Sequence, residues 1–379
     1  MSAVIIGYAR SPFHRSHKGA LAAIRPEDIA SQVIEQTIVQ SGVAIEDIED
    51  LMLGCAYPEG VQGLNLGRIV TFLSGLPSSI PGVTTNRLCG SSMQSIHDAA
   101  GAIAIGSGEV FLCGGVESMS LVKRGGWKRD LHPIIESEHP DAYINMGLTA
   151  ENLAHSHSIA RPRQEAFALR SHQKAAFAVD CGYFDSELIS IFGNGVTIST
   201  DGCIRADTTL ERMASLPPAF LEDGSVTAAT SSPLTDGSAF TVVCSEEYAE
   251  SRGIRPMARI LSTAVAGVPP EIMGIGPVPA TIKALDRAGL GLDDINVIEL
   301  NEAFSAQSLA VIEELDLSDE DERLNIDGGA LAIGHPLGAS GARITGKAAS
   351  LLDRVGGDYA LASMCIGGGM GISTILEKI

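Results

Sequence analysis

A chain of 379 residues with 45% hydrophobic residues, 42 glycines and 4% aromatics has material for an ample core built on small side chains. Its net charge of −20, with no Lys/Arg run, excludes general nucleic-acid binding and leaves an anionic substrate to a few local arginines and helix N-termini. Seven cysteines, an odd number with no CxxC pair, exclude a disulfide scaffold and predict reduced thiols in a cytoplasmic compartment.

The opening MSAVIIGYARSPF has an apolar run too short for a signal peptide and no basic lead-in. No window reaches membrane-spanning length, and the closing LEKI is not a peroxisomal address. Residues 3–8 read as a buried strand. Pro26, Glu27 and Asp28 open a helix with an apolar stripe of Ile29, Val33, Ile34 and Ile38, which Gly42 ends. Residues 51–55 form a second strand, and residues 65–74 a helix closed by Gly75 and Pro77.

The stretch TTNRLCGSSMQSIHDA at 84–99 organises the chain. Thr84 and Thr85 favour extended backbone, Gly90, Ser91 and Ser92 allow a tight turn, and Met93, Ile96 and Ala100 recur at helical spacing. Cys89 therefore sits on a strand-to-helix turn, where the positive helix end would favour thiolate over thiol. A nucleophile and a small buried hydrophobe are both open to it. A strand at 109–113 follows and runs into GGVESMS.

From about Leu121 the texture changes: Trp127, Lys128 and Arg129 lie close to prolines and histidines with little periodicity, and one helical segment at 150–179 follows. Such a large insertion between two α/β halves usually shapes a binding cleft. Alternation resumes near Ser238, with strands at 259–266, 296–300, 359–364 and 371–376 and helices at 280–288, 303–314 and 339–355. The DLSDEDE run reads as a solvated loop. The halves echo each other, CGG at 113–115 against CIGGG at 365–369, which points to a duplicated unit with sites at equivalent strand-to-helix turns.

NEAFS at 301–305, GGALAIGHPLGASGAR at 328–343 and CIGGGMG at 365–371 share with the Cys89 turn a composition suited to close backbone approach. His335, alone, reads as a satisfied core histidine; in the most glycine-rich loop of an enzyme-sized chain it reads as a base for a cysteine. GARITGKA at 341–348 fits a P-loop until its last residue, Ala348, and lies inside a predicted helix, so no nucleotide site is expected. His155 and His157 lack companions at ligand spacing, so they read as surface residues and no metal site is expected.

Together NRLCGSSMQ, GGVESMS, VTAATSSPLTDGSA (226–239), NEAFS, GHPLGASGAR and CIGGGMG resemble, in order and over the whole chain, the thiolase family, nearest to its 3-ketoacyl-CoA thiolases of fatty-acid β-oxidation. The resemblance implies a five-layer α/β/α/β/α core of two similar halves, at 1–118 with a return at 235–255 and at 256–379. A loop domain at 119–234 would cover the coenzyme A (CoA) cleft. It implies Cys89 as the acyl-carrying nucleophile, His335 as its base and Cys365 as acid/base at the α-carbon. Asn301 would hold a water that forms one oxyanion hole with His335, and the N–H groups of Cys89 and Gly367 the other. Arg205 and Ser232 match positions used against CoA. CoA would be a substrate, with no permanently bound cofactor, because the thioester and oxyanion donors stabilise the enolate. The implied partners are a second or further copies, as dimer or tetramer, and a hydratase/dehydrogenase subunit.

Asn145, followed by Met146, stands where several acetoacetyl-CoA-specific relatives carry histidine, which favours a degradative enzyme of broader chain length. An acetoacetyl-CoA thiolase working in the condensing direction is the alternative. Two further alternatives keep the fold: a silent CoA- or lipid-binding protein, against which Cys89, His335, Cys365 and Asn301 speak, and a ketosynthase-type condensing enzyme, which would not normally carry Cys365. A cysteine hydrolase gives a second thiol no task.

Overall fold

The computed structural model describes residues 1–127 and 130–379; Lys128 and Arg129 of the aperiodic stretch lie outside the described residues. The principal strands are β1 (Ala3–Arg10), β2 (Asp50–Gly54), β3 (Val83–Thr85), β4 (Val110–Glu117) and β5 (Thr235–Ser245) in the first half. In the second they are β6 (Ala258–Gly267), β7 (Val297–Leu300), β8 (Tyr359–Ile366) and β9 (Met370–Glu377). The principal helices are α1 (Pro26–Ser41), α2 (Leu66–Leu73), α3 (Ser91–Ala104), α4 (Met146–Ser156), α5 (Arg161–Asp180), α6 (Pro277–Ala288), α7 (Ser305–Glu314) and α8 (Leu337–Val355).

Local chemistry explains the clearest elements. In α1 a proline in the first turn and two acids at the positive end start the helix, and Gly42 at φ 70° ends it with its N–H on the Ile38 carbonyl at 3.1 Å. Ile29, Val33 and Ile34 are fully buried, each contributing about 1.5–3 kcal/mol. The single helix expected over 150–179 is instead two. Ser158 adopts φ 52°, and Pro162, which has no N–H to donate, starts α5 afresh. The acidic run after α7 is not simply solvated either: Asp319 takes both Nε and Nη2 of Arg163, and Asp321 takes Arg323.

The duplication is plain in the pairing. β2 runs parallel to β4, β4 antiparallel to β5, and β5 antiparallel to β1. In the same pattern β7 is parallel to β8, β8 antiparallel to β9, and β9 antiparallel to β6. β1 and β6 join the two sheets through only two residue pairs, Val4 with Arg259 and Ile5 with Ala258. The sheets bend there around α3 and α8, which pack on each other, while α1 and α6 cover the outer faces. Three apolar clusters fill the spaces between these five layers.

The chain leaves the first sheet after β4 and re-enters at its neighbour β5, so residues 118–234 form an excursion carrying α4 and α5. Buried ion pairs fasten it. Arg10 of β1 binds Glu187 at 2.7 Å and Asp201 at 2.8 Å, and Lys347 of α8 binds Glu187 at 3.0 Å and Asp327 at 2.7 Å. Removing one partner of such a pair costs about 3–5 kcal/mol, so the excursion is held to both halves. Among the described residues no helix is long and apolar enough to cross a membrane.

Candidate active site

The turn between β3 and α3 is built from short polar side chains. The Leu88 N–H donates to Asn86 Oδ1 at 2.8 Å, the Arg87 N–H to Ser91 Oγ at 3.0 Å, and Ser91 Oγ to the Leu88 carbonyl at 2.6 Å. These bonds hold Leu88 at φ 45°, a left-handed conformation that costs a non-glycine residue about 1–3 kcal/mol. Gly90 lets the turn seat against the other half: a Cβ there would lie 2.5 Å from Ile366 Cδ1. Cys89 is thereby presented to a cavity between the halves.

The helix end does not govern the Cys89 thiol, contrary to the sequence expectation. Cys89 stands two residues before α3, and although the residue is partly accessible through the cavity, protein atoms crowd its sulfur. Burial pushes the thiol up to about 11, and the N–H groups of Gly367 and of Cys89 itself offset only part of that.

His335 is buried at the equivalent turn before α8. Its N–H donates to Thr235 Oγ1 at 3.0 Å, and its Nδ1 lies 2.6 Å from Ser340 Oγ. Ser340 gives its only proton to the Pro336 carbonyl at 2.9 Å, so it accepts from Nδ1–H and leaves Nε2 as the acceptor. Burial and the neighbouring Arg343 cation lower the imidazole to about 3, so it is neutral at pH 7. Asn301 Nδ2 stands 3.4 Å from Nε2; Asn301 Oδ1 has no protein partner among the described residues.

Cys365 is the penultimate residue of β8 and is 2% exposed; burial and the proximity of Cys89 push its thiol well up. It occupies no turn before a helix but the β8–β9 hairpin, whose Gly368 and Gly369 adopt φ 81° and 83°; His335 follows the short helix Ala330–Ile333, so Cys89 alone of the three sits at a strand-to-helix turn. Cys113, its sequence echo, is buried inside β4, away from the cavity lining, so the duplication does not repeat this residue's position.

Cys89, His335 and Cys365 line one cavity of about 60 Å³, with Met146, Phe304 and Arg124 among the other walls. Ser232, Pro233 and Leu234 form a wall shared with a groove of about 520 Å³. Arg205, as well as Arg15 and Lys18, lines that groove, so a chain of charge −20 gathers cations at one place. Asn145 is not in the cavity lining: its side chain caps α4 by accepting the Gly147 N–H at 2.9 Å. His155 is exposed and His157 pairs with Glu314, while the P-loop-like stretch lies within α8.

Sequence reasoning missed four residues. Thr235 and Ser340 orient His335, and both lie inside the quoted motifs, Ser340 one helical turn beyond His335. Glu117, the glutamate of GGVESMS, is buried and accepts the N–H groups of Ala56 at 2.8 Å and of Gly338 at 2.9 Å, bracing the start of α8 from β4. Arg124 gave no signal, since nothing local marks a cation in an aperiodic loop.

The model of the thiolase N-terminal domain matches residues 3–247, and that of the thiolase C-terminal domain residues 254–378. The chain is 46% identical to a 3-ketoacyl-CoA thiolase of Aliivibrio fischeri over 383 residues, covering 99% of each. It is 44% identical to one of Psychrobacter arcticus, over 99% of this chain and 98% of the other. Human mitochondrial 3-ketoacyl-CoA thiolase solved with CoA superimposes with a TM-score of 0.92 at 37% identity, over 100% of this chain and 98% of that one. Bacillus anthracis acetyl-CoA acetyltransferase does so with a TM-score of 0.91 at 39% identity, over 100% and 99%.

Proposed function

Since the chain belongs to the thiolase family, we propose that it cleaves a 3-ketoacyl-CoA with CoA, giving acetyl-CoA and an acyl-CoA two carbons shorter. One observation carries this reading: two thiols and a neutral imidazole meet in a cavity that shares a wall with a cation-lined groove.

The groove suits a polyanionic nucleotide thiol, with Arg205 and Ser232 among the residues that would meet it. Cys89 attacks the 3-keto carbon while His335 Nε2 takes its proton. Both groups rest neutral, one raised and the other lowered, so proton transfer accompanies bond formation rather than preceding it. The N–H groups of Cys89 and Gly367 lie against the Cys89 sulfur and would hold one developing oxyanion. Asn301, with a water, and His335 would hold the other.

The bond between C2 and C3 then breaks. Its electron pair passes to C2 of the departing acetyl-CoA, which takes the Cys365 proton, and the shortened acyl group stays on Cys89. Next the CoA thiol gives its proton to the Cys365 thiolate and attacks the acyl-enzyme. Cys89 leaves and regains its proton from His335. Both half-reactions pass through one acyl-enzyme, so the kinetics are ping-pong. Met146 borders the acyl group, and CoA is the only small molecule besides the ketoacyl substrate that these steps use.

The reading places the enzyme in the cytoplasm, fed by hydratase and dehydrogenase steps that make the 3-keto group, on a partner subunit or apart. We assign the edge strand β3 to a contact with a second copy. Val83 is exposed on it, and Leu64, Ile69 and Phe72 are exposed on the adjoining loop and on α2. Residues 119–234 would cover the cleft, with 1–118 and 235–255 forming one half and 256–379 the other. The likeness to the Bacillus anthracis acetyltransferase favours a second reading, condensation of two acetyl-CoA.

The test is loss of enolate absorbance when the protein meets CoA and 3-ketoacyl-CoAs of rising chain length. Cleavage beyond four carbons, absent in Cys89→Ser, supports the reading. Turnover of the four-carbon substrate alone selects the acetyltransferase, and CoA binding without cleavage a silent binding protein.

A further inference from the structure

Arg124 is a cation on the wall of the catalytic cavity, outside the lining of the CoA groove, with no carboxylate or hydrogen-bond partner among the described residues. Its position is built. Gly125 and Gly126 adopt φ 90° and 79°, and the Gly126 N–H closes a turn on the Lys123 carbonyl at 2.9 Å. The next N–H, of Trp127, donates to Glu59 Oε2 at 2.7 Å, and the Gly125 backbone hydrogen-bonds the Tyr57 hydroxyl. A Cβ on Gly126 would lie 2.4 Å from Glu59 Oε1, so the loop is seated closely on the segment after β2. These contacts fix the backbone that follows Arg124, and its side chain lines the cavity shared by Cys89, His335 and Cys365.

Beyond Arg124, Cys89, His335, Cys365 and Ser232 the walls of that cavity are apolar, with Met119, Met146, Met273 and Phe304 among them. Its 60 Å³ holds about four to six water-sized groups, the bulk of a short acyl chain. The phosphates of CoA have their own cations in the groove, at Arg15, Lys18 and Arg205. What remains for Arg124 is the far end of the acyl group. Resting on the thiolytic reading, we propose that the preferred substrate is a short 3-ketoacyl-CoA whose acyl chain ends in a carboxylate, which Arg124 binds. A planar guanidinium takes a carboxylate through two parallel hydrogen bonds, and such a pair discriminates strongly against a methyl end.

The test compares two six-carbon 3-ketoacyl-CoAs, one ending in carboxylate and one in methyl, by kcat/KM on the wild type, Arg124→Met and Arg124→Lys. Arg124 is exposed, so the variants keep the fold. The expected result is a wild-type preference for the carboxylate chain of tenfold or more. Arg124→Met collapses this ratio by at least tenfold, and Arg124→Lys retains part of it. A wild type that prefers the methyl chain overturns the proposal. So does an equal loss on both substrates, which would place Arg124 on the Cys89 thiolate or on CoA. If neither chain is cleaved, the thiolytic reading fails separately. The ratio of the two dissociation constants, measured by calorimetry with Cys89→Ala, then decides the carboxylate preference by itself.

Discussion

The two turns that precede the central helices come from one duplicated plan and hold opposite chemistry. Before α3 the turn is strained at Leu88 and presents a partly accessible thiol; before α8 it is unstrained at His335, wholly buried, and oriented by two hydroxyls. Burial acts on both, and it raises an acid while lowering a base. The pair therefore rests as thiol and imidazole instead of as an ion pair. A symmetric architecture thus yields an asymmetric site because the same desolvation has opposite sign on the two groups.

The largest effect falls on the first turn. Cys89→Ser should lower turnover by at least about 10³-fold with the fold intact by circular dichroism, since the alkoxide is far harder to form than the thiolate. A variant with normal turnover would break the assignment of the nucleophile to this turn.

The second turn is probed by acid. His335 is near 3 in the folded chain against about 6.5 unfolded, so the unfolded state binds the extra proton. Its contribution is fully present above about pH 6.5 and is lost as pH falls toward 3, by about 1.4 kcal/mol per unit. His97, lowered to about 3, and His172, lowered to about 4, act in the same direction. Denaturant titrations at pH 7 and 5 should show stability falling by about 2 kcal/mol for each such histidine, and His335→Gln should remove its share of the slope.

The joint between the turns is tested by Gly338→Ala. The new Cβ would meet the Val116 carbonyl oxygen at 2.7 Å and that of Gly54 at 2.8 Å, both backbone atoms that cannot swing away. A loss of about 1–3 kcal/mol is expected in urea unfolding. Last, Ser340→Ala should cost about tenfold in kcat because it frees the imidazole tautomer, with a stability loss of about 1–3 kcal/mol because the buried Nδ1–H loses its acceptor. A matching loss in Cys89→Ser background would place Ser340 in stability rather than in orienting the base.

Local order was readable directly: the caps of α1, the β3–α3 turn and the ordered motifs each rest on residues a few positions apart. The echo of CGG and CIGGG pointed to a real duplication, yet misplaced Cys365, because a glycine cluster serves a hairpin as readily as a helix start. The break between α4 and α5 was hidden, since Ser158 in a left-handed turn carries no glycine to mark it.

By itself, then, the sequence determined the alternation of strands and helices, the family motifs and the candidates Cys89, His335 and Cys365. Periodicity, capping and turn chemistry are local properties that survive in one dimension. Only the tertiary structure decided the protonation of the thiol and imidazole, the tautomer set by Ser340, the use of Asn145 as a cap and the placement of Arg124 on the cavity wall. Each of these depends on desolvation or on contacts between distant segments, which arise only when the halves close on each other.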